Sequence, residues 1–247
     1  MRSTGVPLVT VVTLVLGVLC WQLLSRALPP YLLPSPGAVI LRWGQLVRGG
    51  VLGGDLAVTA GEAALGFVLA SAVALALGYG VARVRVLEDL LAPYVAASQA
   101  MPMVAFAPLL ITWLGIGILP KVLIAALIIF FPILVNTVLA LQGVDHDLVD
   151  AARTDGATSG RILLHVETPL ALPTILGGVK MGLTLAMTGA LVGEFIATDA
   201  GLGYLLTLGR TEYDGAMVFA AALTIAAVSI LAYAGVTAVE RAVRRRL

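Results

Sequence analysis

The sequence predicts an all-α membrane protein, with six transmembrane helices and a cytoplasmic helical loop between the fourth and fifth. Three observations predict it. The 247 residues are 60% hydrophobic and 12% charged, with a mean hydropathy of +1.04, too apolar for a soluble domain of this length. Charge-poor runs of spanning length recur along the chain. One polar stretch, DAARTDGATSGRILLHVETP at residues 150–169, interrupts them with acids, bases, a His and two glycines. The net charge of +1 points away from a nucleic-acid partner. The single cysteine, Cys20, lies in an apolar run, and His146 and His165 share the polar loop. No residue set has metal-ligand or catalytic spacing, so a metal site and catalytic residues are both expected to be absent.

The first span is placed at 6–24. The run from Ser3 to Ser25 carries no charge and no clear A-x-A cleavage site follows it, so it reads as a retained helix rather than a signal peptide. Residues 26–59 form an outer segment. In it, LLPSPGAVILRWGQLVRGG reads as a short amphipathic helix, entered through Pro34 and Pro36 and lying on the lipid surface. The chain thus divides into 1–59, a first helix with its outer segment, and 60–247, a core of five spans.

Those spans are placed at 60–82, 93–115, 121–142, 173–197 and 216–239. The second of the five holds Pro93, Pro102 and Pro108, which predict a broken or kinked helix. Gly115, Gly117 and Pro120 then predict a tight turn. An even number of spans puts both termini on one side. Arg2, Arg83, Arg85, Arg153, Arg161, Arg241, Arg244, Arg245 and Arg246 fall on the amino-terminal side, against Arg26, Arg42, Arg48, Lys121 and Arg210 opposite. The positive-inside rule therefore places both termini and residues 143–172 in the cytoplasm.

Within that loop, Asp145 is a helix cap for His146 to Arg153, and Gly156 is the stop. Thr158 or Ser159 caps a second helix carrying Ile162, Leu163, Leu164 and Val166, which Pro169 ends. Ala151, Ala152, Gly156 and Ala157 leave little side chain at the joint, so a partner backbone can approach closely. The two histidines read as solvated or interface residues.

The loop resembles the EAA loop of binding-protein-dependent ABC transporter permeases, E-A-A-X3-G-X9-I-X-L-P. Here it reads Asp150-Ala151-Ala152, then Gly156, then Val166-Glu167-Thr168-Pro169, with every interval kept. Asp for Glu and Val for Ile keep the chemistry, whereas Thr168 for Leu weakens an apolar contact. PSPGAV, SQAMPMVAFAPLLITWLGIGILPK, FFPILVNT and GEFIATDAGLGYLL are similar to the branch that handles nitrate, sulfonates, taurine and thiamine precursors. The resemblance implies a type I importer permease in the bacterial inner membrane, working as a pair with two cytoplasmic ATPase subunits and an extracytoplasmic solute-binding protein. Asp150, Ala151, Ala152, Arg153, Gly156 and Ala157 would then form the ATPase-coupling surface. ATP and Mg would sit on the partner ATPase, with no cofactor on this chain, which has no G-x-x-x-x-G-K-[ST] phosphate loop.

In the fifth span, Lys180, Thr184, Met187, Leu191 and Glu194 share one helical face, while Gly182, Ala186, Gly189 and Gly193 lie nearly opposite. Small residues favour helix contact, so the polar face is expected to line the pathway. Lys180 and Glu194 are about 21 Å apart along the axis and cannot pair. Lys180 can snorkel to the cytoplasmic edge. Glu194 reads either as a structural partner of Arg210 or of backbone donors, or as an outer gate or solute contact. Gln99, Met103 and Asn136 complete the expected pathway, although Gln99 and Asn136 can equally tie helices together. Trp113 reads as an interfacial anchor, and GLGYLLTLG as a short scoop with Tyr204 at the water boundary.

A secondary transporter or channel working without an ATPase is the alternative. It would place ion-coupling groups near the midplane, whereas Lys180 and Glu194 sit towards opposite ends. A membrane enzyme would need a nucleophile and base at one depth. The resemblance implies a small anion of sulfonate, taurine or nitrate type as the solute, with a pyrimidine-like ring compound second, the side to which SQAMPMVAFAPL with FFPILVNT leans.

Overall fold

The computed structural model describes residues 8–84, 86, 87, 89, 90, 93, 102–196 and 200–244. Helix α1 (Leu8–Ala27) leads into the short α2 (Pro36–Arg48) and the long α3 (Val51–Arg83). A 3-10 turn at Met103–Phe106 precedes α4 (Ala107–Leu114), and α5 (Ile118–Gln142) follows. The polar loop contributes α6 (His146–Thr154). Helix α7 (Ser159–Ile196), α8 (Leu202–Thr211) and α9 (Gly215–Arg244) complete the described chain.

Five of these helices, α1, α3, α5, α7 and α9, are long and apolar enough to cross a membrane. The all-α membrane class therefore holds. The sixth expected span, 93–115, falls partly outside the described residues. Its described part is the shorter apolar stretch Met103–Leu114. Pro102 precedes the 3-10 turn and Pro108 lies in the first turn of α4, where a missing N–H breaks no helical bond. Gly115, with φ at 78°, ends that helix, and Pro120 lies in the first turn of α5.

Helix α5 is the central rod. Ala125 is pinched between Gly66 of α3 and Gly189 of α7, where an added Cβ would lie 2.7 Å from Ala125 on either side. Further along α7, Gly178 meets Asn136, Gly182 meets Ile133, and Gly193 meets Lys121. The small-residue face of the fifth span is thus its contact with α5. Ile129 and Ile133 fill the fully buried centre.

Four expectations are corrected. Helix α3 begins at Val51, so its first turns use residues assigned to the outer segment. Helix α2 is docked on protein rather than merely lying on lipid. Val39 and Leu46 are buried, Arg42 pairs with Asp214 at 2.8 Å, and the Trp43 indole donates to Thr224 at 3.1 Å. Its Ile40 and Leu41 remain exposed. Pro169 does not end the loop's second helix. A π turn at Leu163–Glu167, where the Thr168 N–H bonds to the Leu163 carbonyl, shifts the hydrogen-bond register, and the rod continues to Ile196. The fourth correction concerns the partner of Glu194, described with the site.

Candidate functional site

The polar loop is a rigid hairpin. The Asp145 carboxylate accepts the Asp147 N–H at 2.9 Å and starts α6. At the other end Gly156 takes φ of 82°, its N–H reaches the Arg153 carbonyl, and the Ala157 N–H reaches the Ala152 carbonyl. That pair of bonds is a Schellman stop, which requires a left-handed residue at the glycine. The hairpin is fastened by its own small core, with Val149 and Ile162 packed on Ala140, Val144 and Ala171. Glu167 is tied to Arg83 of α3 by an ion pair, and the guanidinium lies over the Tyr79 ring at 5.6 Å.

The outward face of the hairpin carries Asp150, Ala151, Arg153 and Gly156, all exposed, with Asp150 and Arg153 paired at 2.9 Å. Ala152 and Ala157 are half-buried against the small core. Leu148 joins this face at 48% exposure, a contact point that the motif does not mark. Both histidines are exposed, and the His165 Nδ1 lies 3.1 Å from the Arg161 carbonyl of its own helix.

Of the expected pathway residues, Met103 and Asn136 come together. They line a cavity of about 390 Å³ with Ile128, Phe131, Pro132, Val135 and Met181. Pro132 lies inside α5 and has no N–H to donate to the Ile128 carbonyl. The Asn136 amide donates to the Pro132 carbonyl at 2.8 Å. Thr184 is exposed and bonds back to Lys180, whereas Met187 is buried. Gln99 lies outside the described residues. The Lys180 ammonium rests 4.5 Å from the centre of the Tyr233 ring on α9.

At the far end of the bundle lies a buried polar cluster that the sequence reading missed, apart from Glu194. Glu194 is 1% exposed. Its Oε1 accepts from the Thr59 hydroxyl at 2.6 Å and its Oε2 from the Gly203 N–H at 2.6 Å. Of the two structural readings of Glu194, a backbone donor is therefore found, joined by the Thr59 hydroxyl, and the Arg210 pairing is not the one formed. The Leu202 N–H donates to Thr59 Oγ1, and the Gly201 N–H to Asp55 Oδ1, each at 2.8 Å. Alongside, buried Lys121 pairs with buried Glu62 at 3.0 Å. Asp55, Thr59 and Glu62 recur at helical spacing along α3, a signal that was present in the sequence but lay largely outside the span as placed.

Known proteins similar to this chain are permeases of solute transport systems. A riboflavin transport system permease protein of Chloroflexus aurantiacus is 44% identical over 232 residues, 93% of this chain and 87% of the relative. A formylaminopyrimidine transport permease protein of Halalkalibacterium halodurans is 32% identical, over 89% of this chain and 88% of the relative. A putative aliphatic sulfonates transport permease protein of Bacillus subtilis is 31% identical, over 90% and 81%. Among solved structures, the inward-facing MetNI methionine ABC transporter superposes with a TM-score of 0.62 at 23% identity, covering 80% of this chain and 95% of that one, and supports the fold. The family model for binding-protein-dependent transport system inner membrane components matches residues 66–245. The chain belongs to that family and is a multi-pass inner-membrane permease of the ABC transporter type.

Proposed function

We propose that this chain, paired with a second copy, forms the membrane path of an importer powered by a separate cytoplasmic ATPase and fed by an extracytoplasmic binding protein. The observation that carries the reading is the hairpin. A capped helix with an exposed small-residue joint is welded by the core around Val149 and Ile162 to the ends of two spanning helices. Such a part transmits displacement, where a flexible linker would absorb it. The arginine distribution puts the hairpin and both termini in the cytoplasm. The reach of the family model, from residue 66, supports treating residues 1–59 as an arm beside the core at 60–247.

The solute is a planar ring compound of flavin or pyrimidine type. The cavity beside Asn136 offers Phe131, Met103 and Met181 for stacking, with the Asn136 amide for ring polar groups. The riboflavin and formylaminopyrimidine relatives lend support. A sulfonate-type anion, suggested by the relative from Bacillus subtilis, would be better served by cationic or N–H donors than by these residues.

The test is to reconstitute the permease with the ATPase and binding protein encoded beside it, and to measure ATP-dependent uptake of labelled riboflavin, a hydroxymethylpyrimidine and an alkanesulfonate. Uptake of a ring compound that falls in the Asn136→Leu variant is expected. Uptake confined to the sulfonate would overturn the solute assignment, and uptake without any ATPase would overturn the importer.

A further inference from the structure

We propose that Asp55, Thr59 and Glu194 form a latch that seals the outer end of the route and opens once in each transport cycle. This rests on the importer reading and its orientation. Three successive amides where α8 begins, that of the cap residue Gly201 and those of Leu202 and Gly203, are each accepted by a side chain of another helix: Asp55, Thr59 and Glu194 respectively. A helix normally caps itself with a polar side chain at its start. Here the cap position is Gly201, which offers none, and these N–H groups are capped from α3 and α7 instead.

The seam is shaped for this closure. A Cβ at Gly201 would collide with Glu194 Oε1, and one at Gly203 would lie 2.8 Å from Oε2, so both glycines let the carboxylate be swallowed. Buried polar groups are tolerable only when every partner is in place, and each of these can be hydrated when separated. Opening therefore wets these polar groups together with Leu202, which is buried beside them.

Location gives the seam its role. Glu194 lies about 20 Å along α7 from Met181 in the cavity, at the end remote from the hairpin. The same unbroken helix, Ser159–Ile196, carries the hairpin at its start and Glu194 at its finish. Movement of the hairpin is thus delivered by one rod, about 55 Å long, to one side of the latch. The Lys121–Glu62 pair beside it joins α5 to α3.

The test uses the assembled complex with Cys20→Ser and a reporter, Leu202→Cys, at a fully buried position whose own amide is held by Thr59. A membrane-impermeant maleimide is added from the outer side. With Thr59 intact, labelling without nucleotide is expected to be slow, and faster by about tenfold with a slowly hydrolysed ATP analogue, the factor that one charge-assisted hydrogen bond implies. Thr59→Val is expected to label fast without nucleotide, and Thr59→Ser to restore the slow rate. Labelling that ignores both nucleotide and residue 59 would overturn the latch. If Thr59→Val fails to assemble on a sizing column, the nucleotide response of the complex with Thr59 intact and of the Thr59→Ser variant decides alone. Failure of the importer reading shows separately, as absence of ATP-driven uptake in the unmodified complex, and dependence on residue 59 can still be read in the permease without nucleotide.

Discussion

A lysine and two glutamates lie buried near one end of the bundle, and each depends on a partner from another helix. Lys121 and Glu62 form their ion pair at 3.0 Å with almost no solvent. Removing one member of such a pair strands the other charge. Lys121→Met should therefore lower stability by about 3 kcal/mol, and adding Glu62→Gln should recover most of the loss. Thermal unfolding in detergent of the two single variants and the double variant measures this. The glycines make a second residue-scale claim. Gly189→Ala forces a methyl against the Ala125 backbone and should cost about 1–3 kcal/mol, while Gly177→Ala, which meets nothing within 4 Å, should be neutral or mildly stabilising. Equal melting temperatures for those two variants would contradict the close crossing of α7 and α5. The isolation of Glu194 in an apolar run was legible in the sequence, and so was the small-residue face of its helix. Its partner Thr59 was not, because that residue lies 135 positions away and nothing local marks the pairing.

The polar hairpin was the most legible element. Its start at Asp145 and stop at Gly156 follow from local cap chemistry that needs no distant partner. Asp145→Ala should remove about 1 kcal/mol from α6 and speed amide exchange over residues 146–154, with membrane insertion unchanged. Hydrogen-exchange mass spectrometry reads the difference, and unchanged protection would show that the small core around Val149 holds the helix alone. Two other elements defeated local rules. Pro169 predicts an end, but a π turn supplies a register in which the rod continues. The amphipathic pattern of α2 reveals an apolar face without saying whether lipid or protein covers it. Contact with α9, through Val39, Leu46 and the Arg42–Asp214 pair, is a tertiary fact.

At the scale of the whole molecule, span positions were legible because charges are excluded from lipid-facing helices, and the described helices α1, α5 and α9, with the far end of α7, fall close to the runs that lack them. Helix ends were less so: α3 starts early at Val51, since Asp55 is tied into a polar cluster rather than set in water. The cavity beside Asn136 was only half legible, because Met103 and Asn136 meet by folding alone. What unites these parts is transmission from the hairpin through α7 to the far end of the bundle. Its most direct test is Gly156→Asp. Gly156 has φ of 82° and open space around its Cβ, and Asp accepts that backbone at a cost of about 1–2 kcal/mol, so the fold should survive while a charged branch stands on the docking face. The measurement is solute-stimulated ATP hydrolysis by the reconstituted complex. The variant is expected to insert normally and to lose stimulation; full stimulation of Gly156→Asp would contradict the account.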